Sequence, residues 1–106
     1  MQKEPEIYRY INDIFVIPDI KRIEQVIFFN RGISYGTLNG VGMVKANYGI
    51  RIRYYNKKER RKTVEGYGVG IFTGISKTNI TVRLDASPQI TLEGCVLKVR
   101  GKIALQ

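Results

Sequence analysis

From Ile50 to Tyr55 the chain reads IRIRYY, with Ile50, Ile52 and Tyr54 at even positions and Arg51, Arg53 and Tyr55 at odd ones. A period of two sends alternate side chains to opposite faces, as in a half-buried strand and unlike a helix. The alternation returns where Ile80, Val82 and Leu84 oppose Thr81, Arg83 and Asp85. It returns again where Leu97, Val99, Ile103 and Leu105 interleave with Lys98, Arg100 and Lys102. Such runs, separated by turn residues, predict antiparallel strands.

All eleven glycines lie at or beyond residue 32, and three of them close a recurring tetrapeptide. TLNG begins at Thr37, TVEG at Thr63 and TLEG at Thr91, spaced 26 and 28 residues apart. The longest parallel joins Ile50–Gly66 to Ile80–Gly94, so each copy reads as a hairpin. The apolar positions also change parity at each motif: Leu38 gives way to Val41 and Met43, Val64 to Tyr67, Val69 and Ile71, and Leu92 to Cys95, Leu97 and Val99. A slip of one residue requires a turn or a bulge. Asn39-Gly40 suits a tight hairpin turn, whereas Gly66 and Gly94 read as bulges bending long strands. Residues 33–106 are therefore expected to form a small, bent antiparallel meander or barrel of about five to seven strands.

The N-terminal part, residues 1–32, reads as partly helical. Pro5 suits a first helical position, and Ile7, Tyr10, Ile11, Ile14 and Phe15 follow the spacing of an apolar helix face. Pro18 ends that segment. Asp19 could cap a second helix carrying Ile20, Ile23 and Ile27 and closed by Gly32, although Val26–Phe29 is a dense β-type run that reads nearly as well as strand. Such an apolar face needs a cover, either the chain's own β body or a neighbouring subunit of a homo-oligomer. At 106 residues the expectation is one domain, 1–106. There is no apolar run of about 18 residues and no signal-peptide pattern at the start, so a cytoplasmic protein that does not enter a membrane is expected. Cys95 is the sole cysteine and shares parity with Leu97 and Val99, which predicts a buried thiol.

The net charge is +9, and the distribution is uneven. Residues 1–40 balance five cations with five acids, so the whole excess lies in residues 41–106. A one-signed field favours a polyanionic partner, with a merely solvated surface as the alternative. Enzyme chemistry is poorly supplied: the chain has no histidine, and its carboxylates are scattered, so neither catalysis nor a cofactor or metal is expected. GYGVGIFTG, Gly66–Gly74, has G-x-G-x-G spacing between β-formers and is not a dinucleotide fingerprint. Gly66, Gly68 and Gly70 would leave one strand face bare, either for close approach of another element or as a shallow platform beside Tyr67.

The sharpest signal is IRIRYYNKKERRKTVEG, Ile50–Gly66. It holds Arg51, Arg53, Lys57, Lys58, Arg60, Arg61 and Lys62 against a single acid, Glu59, before Glu65. Cations neutralise phosphates, and aromatic rings accept stacked bases. Tyr54, Tyr55 and Tyr67 are the stacking candidates, Tyr55 the best placed because it shares parity with Arg51 and Arg53. Half of all the cations are arginine, whose forked guanidinium suits phosphate. Arg83, Lys98, Arg100 and Lys102 would extend the same surface if their strands are neighbours. Within the last strand, VLKVRGKIAL, Val96–Leu105, resembles the second motif of Sm-like RNA-binding rings, in which an Arg-Gly pair ends a β-strand. The resemblance covers about ten residues, lacks the partner motif with its Asp and Asn, and implies no residue roles. The expected function is non-enzymatic binding of nucleic acid, DNA or RNA, with weak sequence specificity. The rival is an assembly subunit of a ring, shell or virus-like particle, docking through the N-terminal apolar segment.

Overall fold

The computed structural model describes residues 7–75 and 79–106. Seven strands run through them: β1 (Ile7–Val16), β2 (Ile20–Leu38), β3 (Val41–Asn56), β4 (Arg61–Thr73), β5 (Val82–Leu84), β6 (Gln89–Glu93) and β7 (Val96–Leu105). All pairings are antiparallel. β2, β3 and β4 form a three-stranded meander, which we term the front sheet. In the back sheet β7 is central, with β1 along one side and β5 and β6 end to end along the other. The sheets do not close into a barrel.

No helix occurs among the described residues, which corrects the helical expectation for the N-terminal segment (Pro5 lies outside them). Ile7–Val16 pairs along its whole length with Val96–Leu105. Odd positions of β1 turn inward and even ones outward, so Ile11 and Phe15 join the core while Ile14 and Val16 are each 64% exposed. Two polar residues interrupt the inward set, and both find partners. Arg9 lies over the ring of buried Phe72, 5.4 Å from its centroid. Asp13 accepts a hydrogen bond of 2.7 Å from the Tyr48 hydroxyl. Satisfied in this way, polar groups are tolerated on an inner face, and the density of β-branched and aromatic residues decides for strand.

Past Pro18 the chain turns from the back sheet into the front one. The corner is fixed by Ile17 N donating to Cys95 O, Ile20 N to Ile17 O and Lys57 N to Asp19 O, at 2.8, 3.1 and 2.8 Å. β2, the segment for which helix and strand were both open, is a strand with register shifts on either side of Lys21, Glu24 and Arg31. Each bulge resets the parity, so Val26 and Phe28 face inward while Ile27 and Phe29 face outward.

Even positions of β3 face inward, and Val44, Ala46, Tyr48, Ile50, Ile52 and Tyr54 are buried with Phe72 of β4 and with Leu97, Val99, Ile103 and Leu105 of β7. This cluster holds the sheets together, each fully buried aliphatic side chain contributing about 1.5–3 kcal/mol. Asn39 and Gly40 both take positive φ, 52° and 77°, in the expected tight turn.

The bulges read at Gly66 and Gly94 are corrected. Gly66 pairs in unbroken register with Ile50. Gly94, φ 59°, opens the Gly94-Cys95 turn of the β6–β7 hairpin. The parity change in β4 arises because its glycines take the inward positions while Tyr67, Val69 and Ile71 face solvent. Phe15 packs on Gly66, Tyr48 on Gly68 and Ile103 beside Gly70, so these glycines serve close approach and leave no platform.

Three smaller readings also change. The second repeat copy makes no hairpin of its own, since β5 and β6 each pair with β7. Arg100-Gly101 lies inside β7 rather than at a strand end, with Phe28 of the front sheet against Gly101. Cys95 sits half-buried in a turn. None of the described residues forms a helix long and apolar enough to cross a membrane.

Candidate nucleic-acid interface

The outer face of the front sheet is built by the odd positions of β3 and β4 and their partners on β2. Arg22, Tyr55 and Arg61 lie across one another; next come Gln25, Arg53 and Thr63, then Ile27, Arg51 and Glu65, then Phe29, Gly49 and Tyr67. Arginines lie over the rings. The guanidinium carbons of Arg22 and Arg61 are 3.9 and 5.7 Å from the Tyr55 centroid, that of Arg31 is 4.1 Å from Tyr67, and that of Arg51 is 5.1 Å from Phe29. The Phe29 and Tyr67 rings meet edge to face at 6.4 Å. Phe29 lies over Gly49, where a Cβ would displace it.

Three acids are threaded through this face, each held by cations. Arg51 Nε and the Tyr67 hydroxyl both donate to Glu65 at 2.7 Å. These bonds, from Tyr67 first and then Arg51, hold the Glu65 carboxyl below its ordinary range, while the Tyr67 phenol is pushed up chiefly by its bond to Glu65. Glu59 is held low by Lys21 first and then by Arg22, which donates at 2.8 Å. Glu24 lies 3.0 Å from Arg61, which also donates to the Tyr55 hydroxyl at 3.1 Å. The Arg61 guanidinium is raised, mainly by that bond. The pairs are exposed and contribute little to stability, but they fix where the guanidinium planes lie.

The hairpin tip beyond Tyr55 is ordered. Buried Asn56 accepts through Oδ1 from Lys58 N at 3.0 Å and Arg60 N at 2.9 Å, and its own N donates to Arg60 O. Lys57, Lys58 and Arg60 project from the tip into solvent.

The structure thus brings Arg51, Arg53, Tyr55, Arg61 and Tyr67 onto one surface, with Lys57, Lys58 and Arg60 at its end. Lys62 is exposed but pairs with Tyr54 at an inward-facing position. Tyr54 itself is buried, 8% exposed, and presents no ring to a ligand. Arg83, Lys98, Arg100 and Lys102 belong to the back sheet, so the expectation that they extend the same surface is corrected. Sequence reasoning missed Arg22, Phe29 and Arg31. The only signal for them was the β-dense run Val26–Phe29, because the β2 bulges hide their parity.

Among the described residues no group of three or more His, Cys, Asp or Glu could hold a metal ion. The face sets cations beside aromatic rings, the chemistry that attracts anions and stacks planar groups. No known protein family, curated protein or solved structure matches this chain.

Proposed function

We propose that this chain binds nucleic acid with weak sequence specificity and without catalysis, using the outer face of the front sheet and the adjoining tip. The observation that carries the reading is the set of arginines over rings of the outer face: Arg22 and Arg61 at half-buried Tyr55, Arg31 at exposed Tyr67 and Arg51 at half-buried Phe29. Ring faces and guanidinium planes both accept stacked bases, and the same cations neutralise phosphates. Little on the face is shaped to read base edges, so affinity follows charge and stacking more than sequence.

The test is a salt titration of binding to single- and double-stranded probes. Wild type should lose affinity with a log–log slope of about −0.7 per phosphate contact on single strands and −0.9 on B-DNA. Replacing Arg53, Lys57, Lys58 and Arg60 together by Ser should reduce the slope by about two to four units. Tyr55→Ala should weaken single-strand binding by about 1–3 kcal/mol with little change of slope. Feeble wild-type binding at physiological salt, or an unchanged slope in the four-site variant, would overturn the reading.

A second reading, an assembly subunit of a ring or shell docking through its N-terminal strand, is favoured by the exposure of Ile14 and Val16 on β1. A discrete large mass in solution would support it, and a monomer at all concentrations would exclude it.

A further inference from the structure

We propose that the outer face of the back sheet is a second nucleic-acid surface, and that one molecule bridges two single-stranded segments. The inference rests on the front-face reading above and extends it.

On the back sheet Tyr8, Tyr10 and Asn12 of β1 lie opposite Ala104, Lys102 and Arg100 of β7. The Arg100 guanidinium sits 4.4 Å from the Tyr10 centroid, and the Lys102 ammonium sits 5.3 Å from that of Tyr8. The two rings meet edge to face at 5.6 Å and are 48% and 53% exposed. Lys98, also exposed, continues the row opposite Ile14. The arrangement repeats that of the front sheet: a cation laid on a ring of the outer strand surface.

Beside it, Tyr10, Asp85, Ser87, Gln89, Arg100 and Gly101 line a shallow groove of about 240 Å³. Its hydroxyls and amide could take the edge of a stacked base. Its one acid is already engaged, since Asp85 Oδ2 accepts from Lys102 N at 2.6 Å. A solvated face needs charge alone. Cations stacked on half-exposed tyrosines instead complement a ligand that carries phosphates and planar rings together, and this argues for nucleic acid over an acidic protein.

The two faces point in opposite directions, because the inner faces of both sheets are spent on the shared core. The molecule measures 53 × 33 × 19 Å along its principal axes. One short strand lying on either face cannot reach the other without passing around an edge. Two segments can be held at once, giving effective crosslinking without protein dimerisation.

The experiment uses the full chain with donor- and acceptor-labelled oligothymidylates of about 12 nucleotides, within the site sizes such surfaces occupy. Native mass and energy transfer are read together. The expected result is one protein carrying two oligonucleotides, with energy transfer that rises and then falls as protein passes saturation. Tyr10→Ala with Arg100→Ser should retain one oligonucleotide and lower the transfer about tenfold. Lys98→Ser with Arg100→Ser, which leaves both tyrosines in place, should do the same in part and guards against misfolding of the first variant. Tyr55→Ala with Arg53→Ser should also leave one oligonucleotide, now on the back face.

A wild-type stoichiometry of one, lost on changing Tyr55 and Arg53, would overturn the bridging inference while sparing the front-face reading. No binding at all, or a single site lost on changing Tyr10 and Arg100, would overturn the front-face reading itself. Energy transfer found only in species of two proteins would overturn bridging by one molecule.

Discussion

Tyr48 shows how one residue ties the two sheets together. Its ring is buried in the front sheet while its hydroxyl donates to Asp13 of the back sheet, and the same hydroxyl occupies the space that a Cβ at Gly68 would need. Tyr48→Phe should lower stability by about 1–3 kcal/mol, since the half-buried Asp13 carboxylate loses its donor. Gly68→Ala should be costly in the wild type and stay costly beside Phe at 48, because Cζ and Cε1 of the ring also crowd that Cβ; the part due to the hydroxyl is the coupling read from a double-mutant cycle in urea. The pH dependence has a definite sign. The Tyr48 phenol is raised above its ordinary value, first by burial and then by the bond to Asp13. A group raised on folding contributes stability that is full below its unfolded pKa, about 10 for tyrosine, and is lost as pH rises toward the folded value. Urea midpoints should therefore decline above about pH 10 in the wild type and decline less in Tyr48→Phe; parallel curves would show that Tyr48 is not the group responsible.

Among the elements, the β3–β4 hairpin joins packing most directly to the site. Its tip is set by Asn56, whose side chain satisfies the amides of Lys58 and Arg60, while Glu59 takes a left-handed φ of 60°. Asn56→Ala should cost about 1–2 kcal/mol and weaken nucleic-acid binding, because Lys57, Lys58 and Arg60 would lose a fixed geometry. Asn56→Asp keeps an acceptor and should recover most of the stability, as read from thermal unfolding; equal loss in both variants would refute this role for the acceptor. This hairpin was also the element most legible in the sequence. IRIRYY assigned Ile50, Ile52 and Tyr54 inward and Arg51, Arg53 and Tyr55 outward, as observed. β1 was harder to read because Arg9 and Asp13 interrupt its inward set, leaving a helix-like spacing of isoleucines. The β2 contribution to the site could not be read at all, since bulges at Lys21, Glu24 and Arg31 shift parity three times within one strand. Nor could any local pattern tell that Arg53 and Arg100 lie on different sheets, because long-range pairing decides it.

At the scale of the whole molecule, β1 has two distinct duties that substitution can separate. Its inward side completes the core: Ile11 and Phe15 pack against the buried cluster, and the strand covers one full edge of β7. Its outward side carries Tyr8, Tyr10, Ile14 and Val16 in solvent. Phe15→Ala should therefore cost about 3 kcal/mol, a large aromatic lost from the interface between the sheets. Removing residues 1–17 should abolish cooperative unfolding, because β7 would become an exposed edge over a core stripped of one wall. Ile14→Ser with Val16→Ser should leave monomer stability within about 0.5 kcal/mol, since neither side chain is buried. If the chain assembles through β1, that same pair should lower the mass measured by light scattering. If it works as a monomer on nucleic acid, the mass should be that of one chain before and after, and binding should persist. A truncated chain that kept both its melting temperature and its affinity would show that β1 contributes neither the wall nor the second face.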